Sequence, residues 1–237
     1  MSRNLSPVIQ IDETKCVNCH ACISVCPVKY CNDASGDHVT INADMCIGCG
    51  TCIRHCTHEA RTGIDDFPMF LEDRSSSGFI AVVAPAAASN FSNVLSLNGF
   101  LKSLGVEAFF DVSFGAELTV KSYLEYIKSG SPTTVIAQPC PAIVTYIEIY
   151  HPELLPHLAP ADSPMLHTVR MIREFYPRFA NHKIIMVSPC YAKKREFDET
   201  GFAGTIYNVT IKSIADYAVR SGMNIDSYPE VDFDNPP

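Results

Sequence analysis

The sequence predicts two unlike units in tandem: a small α+β unit at the N-terminus, then an α/β domain with a mostly parallel sheet. Three observations carry that reading. Nine of the 11 cysteines fall between residues 16 and 56, leaving Cys140 and Cys190 apart. Short β-like runs at Val8–Ile11, His38–Ile41 and Ala60–Ile64 surround the cysteines, with brief helices expected to start at Cys26 and Cys56. Beyond residue 78, strand-like and helix-like runs alternate to the end, the pattern of a sheet covered by helices on both faces.

In the first unit, Cys16, Cys19, Cys22 and Cys26, followed by Pro27, read C-x2-C-x2-C-x3-C-P. Thirty residues later Cys46, Cys49, Cys52 and Cys56 repeat the spacing, an internal duplication. Two-residue gaps let a looping backbone set three thiolates around three corners of a 4Fe-4S cubane. In this pattern the fourth cysteine ligates the other cluster. Cluster one then takes Cys16, Cys19, Cys22 and Cys56, and cluster two takes Cys46, Cys49, Cys52 and Cys26. Zinc ribbons use separated cysteine pairs, and a disulfide framework belongs to oxidising compartments, so neither suits a duplicated triple run.

Residues 8–65 thereby resemble the bacterial-type two-cluster ferredoxins, which implies a ferredoxin-like fold. Thr57 stands where that family usually repeats the proline, a position that shapes a turn and is not a ligand. Cys31 lies outside both quartets and reads as a buried small side chain or free thiol rather than a ninth ligand. His20 and His55 lie within the motifs, either as loop surface or as donors to cluster sulfur. A unit this small has little apolar interior, so ligation is expected to contribute to its folding.

The second unit is expected at 79–237, joined to the first (1–65) by a connection over 66–78 that includes a short helix. Buried strands are predicted at Ile80–Ala84, Ala108–Val112, Val135–Ala137 and Ile184–Val187, and helices at Phe91–Leu104, Ala116–Lys128, Ala142–Tyr150 and Met165–Phe179. In open sheets of this kind ligands sit beyond the carboxyl ends of the strands. Cys140 and Cys190 each follow a proline just past a predicted strand, aimed at a shared metal centre or simply buried independently.

The neighbourhoods of these cysteines resemble the catalytic domain of the iron-only (diiron) hydrogenases. Ala137-Gln138-Pro139-Cys140-Pro141 aligns with the family's T-S-C-C-P, and Pro189-Cys190-Tyr191-Ala192-Lys193-Lys194-Arg195-Glu196 matches its P-C-x-x-K-x-x-E. Ala84-Pro85-Ala86, Asp111-Val112-Ser113-Phe114-Gly115-Ala116-Glu117 and Tyr150-His151-Pro152-Glu153-Leu154 extend the likeness. The resemblance implies that Cys140 and Cys190 are two of the four thiolates of an active-site cubane. It also implies that Lys193 contacts a ligand of the diiron unit; the bland alternative makes Lys193-Lys194-Arg195 a solvated basic run.

Two departures from the family qualify the implied activity. Pro139 occupies the position of the proton-donor cysteine and has no proton to give, and Ala86 lacks the hydroxyl the enzymes often carry. Both resemble divergent or sensory branches of the family. The third signature, with two further cysteines, has no counterpart here. A third 4Fe-4S cluster and a diiron centre are therefore expected only if a segment absent from this chain completes them, as in a truncated chain or a degenerate relative.

Composition limits the remaining classes. A formal charge of −8 is the wrong sign for a protein held to nucleic acid by counterion release. The longest apolar run, Phe79–Ala88, is too short to span a bilayer, and the first 15 residues lack a signal-peptide core. The expectation is a cytoplasmic electron-transfer protein with a redox protein partner. The alternative is a hydrogen-oxidising, hydrogen-evolving or hydrogen-sensing chain with a signalling partner.

Overall fold

The computed structural model describes residues 4–130 and 133–234. The first unit comprises β1 (Ile9–Ile11), α1 (Ala21–Ser24), β2 (Asn32–Asp33), β3 (Thr40–Ile41), α2 (Thr51–Arg54) and β4 (Arg61–Gly63). After α3 (Phe67–Asp73) come β5 (Phe79–Val83), α4 (Val94–Ser103), β6 (Val106–Asp111), α5 (Val112–Lys128), α6 (Pro141–Tyr150) and α7 (Pro164–Phe175). The chain continues through β7 (Lys183–Ser188), α8 (Lys193–Glu199), β8 (Ile206–Thr210) and α9 (Ile211–Arg220). Among the described residues no helix is long and apolar enough to cross a membrane.

Two antiparallel ribbons frame the first unit. β1 pairs with β4, setting Ile9 opposite Gly63 and Ile11 opposite Arg61, and β2 pairs with β3. The brief helices differ from expectation: α1 and α2 carry the third cysteines, Cys22 and Cys52, and end before Cys26 and Cys56. Cys26 precedes Pro27, whose ring disfavours the helical region for the residue before it.

The duplication extends to the backbone. Asn18 and Gly48, His20 and Gly50, and Lys29 and Glu59 are each thirty residues apart, and all six have positive φ. Asparagine and glycine are common in that conformation; the other residues are held there by the loop wrapping the cysteines.

The second unit is built on a four-stranded, all-parallel sheet in the order β6-β5-β7-β8. Period-two alternation splits the buried central strand β5 between two cores. Phe79, Ala81 and Val83 face α3, α4 and α9, while Ile80, Val82 and Ala84 face α7. Burial on both faces explains why β5 reads as an unbroken apolar run. From β6 the chain crosses back to β7 on the other side of β5, so the switch point lies at the carboxyl ends of β5 and β7.

Three expectations change here. Val135–Ala137 is no sheet strand: Ile136 forms an isolated parallel bridge with Leu158, none of the three residues is buried, and Pro139 lacks an amide for a ladder. The fourth sheet position belongs to β8, whose five residues are all buried. Helix ends move to their caps. Asn93 accepts from Leu95 and Ser96 N–H, starting α4 at Val94, and Asp111 accepts from Ser113 N–H, starting α5 at Val112. α7 stops at Phe175 because Pro177 follows Tyr176.

Candidate metal centre

The cysteine repeat lines two small voids, each of about 20 Å³. Cys16, Cys19, Cys22 and Cys56 line one; Cys46, Cys49, Cys52 and Cys26 line the other. Among the described residues no three His, Cys, Asp or Glu side chains converge tightly enough for a lone ion.

Backbone N–H groups aim at the sulfurs. Val39 donates to Cys16 Sγ at 3.5 Å, Lys29 to Cys26 Sγ at 3.3 Å and Gly48 to Cys46 Sγ at 3.4 Å. Such donors favour thiolate over thiol. Burial pushes the Cys22 and Cys52 thiols up, and the nearby Arg61 cation opposes it in both cases.

Arg61 tests whether the site fits an anionic group. The residue is only 4% exposed and lines both voids; its guanidinium reaches the Cys52 thiol, but its two terminal amino groups make no well-formed hydrogen bond among the described residues. A buried guanidinium without an anion is strongly disfavoured. The thiolates and an inorganic sulfur core would complete it, so the residues present fit a cluster on either side.

Cys31 shares the second chamber. Its Sγ lies 3.7 Å from Cys26 Sγ, and it receives the Asn32 amide at 3.4 Å. The hydrogen bond with Cys46 is the largest influence raising the Cys31 thiol and lowering that of Cys46. Of the two histidines, His55 donates from Nδ1 to the Thr51 carbonyl at 2.9 Å and faces solvent, while His20 lines the first chamber from an exposed position.

The second unit leans on the second chamber. Arg195, 2% exposed, donates to the carbonyls of Ser6, Ala43 and Cys46. Tyr150 donates to the Met45 carbonyl at 2.6 Å. A Cβ on Gly63 would stand 2.1 Å from the Tyr191 ring, and one on Gly48 would stand 3.1 Å from Ala192 Cβ. Two glycines of the first unit thus admit the loop that carries Cys190.

Cys190 sits at the switch point beyond β7, its N–H donating to Ser188 Oγ at 3.2 Å. Asn208 holds the loop by donating to the Cys190 carbonyl at 3.1 Å. Burial raises the Cys190 thiol; the Lys193 and Ala192 N–H groups and the Lys193 ammonium oppose this, while nearby Cys140 adds to it. Cys140 is exposed and is the N-cap residue of α6, with Pro141 following as the first helical residue.

The basic run is not solvated. Lys193 is buried and pairs with Glu196, Lys194 pairs with Asp66 at 3.0 Å, and Arg195 is used as above. Pro139 is exposed and Ala86 half-buried. Two thiols, Cys140 and Cys190, do not amount to a complete ligand set for a third cluster, and no chemistry is derived through one.

Sequence reasoning did not find Arg61 or Arg195, since neither sits in a ligand position. It also did not find a cavity of about 210 Å³ beside α6 and α8, lined by Gln138, Thr145, Glu148, Glu196 and Glu199 among others. There Gln138 is held by the Tyr123 hydroxyl at 2.6 Å.

Residues 77–237 match the profile of the iron-only hydrogenase large subunit, C-terminal domain, and residues 8–57 match the 4Fe-4S dicluster domain. The chain is 25% identical to the periplasmic [Fe] hydrogenase large subunit of Nitratidesulfovibrio vulgaris, over 94% of this chain and 60% of the relative. It is 24% identical to the NADP-reducing hydrogenase subunit HndD of Solidesulfovibrio fructosivorans, over 99% of this chain and 48% of the relative. It is also 31% identical to the nuclear prelamin A recognition factor of Rattus norvegicus, over 46% of this chain and 27% of that one. The chain thus spans about three-fifths or less of these relatives. A solved structure of a variant of [FeFe]-hydrogenase HydA1 from Chlamydomonas reinhardtii superposes with TM-score 0.63 at 20% identity, covering 73% of this chain and 51% of that one, a likeness of fold. With two-thirds of its length matched by the larger profile, the chain belongs to the iron-only hydrogenase large-subunit family and carries a 4Fe-4S dicluster domain ahead of the family's C-terminal domain.

Proposed function

We propose that this chain is an electron-transfer protein whose N-terminal unit relays electrons through two 4Fe-4S clusters toward the elements bearing Cys140 and Cys190. Cys16, Cys19, Cys22 and Cys56 hold the first cluster, and Cys46, Cys49, Cys52 and Cys26 hold the second. The observation that carries this reading is the pair of voids, each lined by one crossed quartet, with a buried guanidinium between them whose terminal amino groups make no well-formed hydrogen bond among the described residues. Bound there, each cluster would supply a one-electron site.

The protein's part is to hold the order of the relay. The first chamber reaches solvent at the exposed Cys19 and at Val17, which is 61% exposed, and the second at the exposed Cys49, so each presents an edge to a redox protein partner. Beside the second chamber, Tyr150 from α6 and Arg195 from α8 donate to the Met45 and Cys46 carbonyls, tying it to the two helices that follow Cys140 and Cys190. A reducing, cytoplasmic setting suits 11 unbridged thiols.

Anaerobic reconstitution with iron and sulfide counting tests this directly. About eight irons per chain are expected from two cubanes, with reduced-cluster EPR signals. Cys56→Ser should damage the same cluster as Cys16→Ser, and Cys26→Ser the same as Cys46→Ser. Stoichiometric zinc with no iron would end the reading.

A second reading, hydrogen turnover or hydrogen sensing, is favoured by the electrostatic proximity of Cys140 and Cys190 at the switch point. It requires ligands beyond these two thiolates. Pro139 and Ala86 remove a proton donor and a hydroxyl, which suits slow turnover or signalling to a partner. Hydrogen evolution by a matured chain supplied with the missing ligands, compared with its Pro139→Cys variant, tests it: the variant should be the faster, and a fast parent would contradict the assigned role of Pro139.

A further inference from the structure

Arg61 is the first residue of β4, registered opposite Ile11, and its side chain enters the space between the two cysteine chambers. Arginine cannot shed its proton to escape burial as lysine can. No carboxylate pairs with it among the described residues, and both terminal amino groups lack a well-formed hydrogen bond. By contrast, the other buried arginine beside the cysteines, Arg195, spends its donors on the Ser6, Ala43 and Cys46 carbonyls and lines neither chamber.

We propose that Arg61 is a shared counter-cation between the two clusters, donating hydrogen bonds into both chambers and raising both reduction potentials together. This rests on the two-cluster reading above. Four thiolates make each cluster anionic, and accepting an electron adds one further negative charge beside the guanidinium, so the reduced form gains more from the cation than the oxidised form does. The planar fork suits the position because its two terminal amino groups can serve acceptors on different sides, which a single ammonium does less well. One charged residue therefore moves both steps of the relay in the same direction instead of tuning one against the other.

The experiment is an EPR-monitored redox titration of the full chain, anaerobically reconstituted, as parent, Arg61→Gln and Arg61→Lys. The iron count is read first: a parent without about eight irons fails the two-cluster reading before any potential is measured. With both clusters present, Arg61→Gln should lower the reduction equilibrium of each about tenfold or more, which is 59 mV for a one-electron couple. Arg61→Lys, which keeps the charge, should recover most of that loss at both. Reduction equilibria in Arg61→Gln within twofold of the parent's, or a shift at one cluster alone, would overturn the proposal. If Arg61→Gln does not assemble two clusters, the parent decides: with ¹⁵N-labelled arginine guanidinium, both reduced clusters should show nitrogen hyperfine coupling, and a first cluster without it would refute the shared role.

Discussion

The two units solve the burial problem by different means. The parallel sheet encloses two apolar cores in which fully buried Phe79, Phe100, Phe109, Ile80 and Ile184 recur, each contributing about 1.5–3 kcal/mol against exposure. The N-terminal unit has a core of ten buried residues, half of them cysteines, with two buried arginines beside it. Thiols at such density give little cohesion of their own, and a buried cation gives less. The first unit therefore has little apolar core of its own, while the second buries two cores against its sheet.

Removing iron breaks that comparison most severely. In the apo-protein, amide protection should be lost across residues 8–64 and kept along β5 and β7, measured by hydrogen exchange. Equal protection in both units would show that the first has a self-sufficient core. The next largest effect is at the joint. Arg195→Met strips donors from three carbonyls and should destabilise the docked N-terminal unit by about 2–4 kcal/mol. Denaturant unfolding should then separate into two transitions, with that of the sheet unmoved.

The same contrast explains what could be read from sequence. Cluster ligation is local: Cys16 to Cys26 and Cys46 to Cys56 announce themselves by spacing, because one loop must wrap one cubane. The runs FIAVV and KIIMVS are legible because a central parallel strand is apolar on both faces. β8 was missed because IYNVT carries Asn208, a polar residue buried to hold the Cys190 loop. VIA misled because it is apolar enough for a strand but lies outside the sheet. The arginines were illegible for a deeper reason. Lys193-Lys194-Arg195 looks like a solvated face, and Arg61 like one charge in the β-like run Ala60–Ile64, until tertiary structure brings carbonyls to one and two voids to the other.

A smaller effect sharpens the interface. Gly63→Ala pushes a methyl into the Tyr191 ring and should cost about 1–3 kcal/mol through overpacking. Because the clash has a single owner, Tyr191→Ala should recover much of that cost. A double-mutant cycle in denaturant midpoints measures the coupling, and strict additivity would mean the ring moves freely.

The smallest effect lies wholly within the self-sufficient unit and should spare the other. Asp73 accepts from Lys183 Nζ at 2.8 Å and from the Tyr207 hydroxyl, and these bonds, Lys183 first, hold its carboxyl below the ordinary 3.8. A depressed carboxylate stabilises the fold above its unfolded value, and that contribution is lost as pH falls through the folded one. Asp73→Asn should therefore lower the unfolding midpoint of the sheet by a constant amount above about pH 5, with the difference from the parent closing below the ordinary carboxylate value. Because the carboxylate is solvent-accessible, salt should shrink the same difference. Cluster retention, read by iron content over the same pH range, should not distinguish Asp73→Asn from the parent, because Asp73 bonds to Lys183 and Tyr207, both on the sheet.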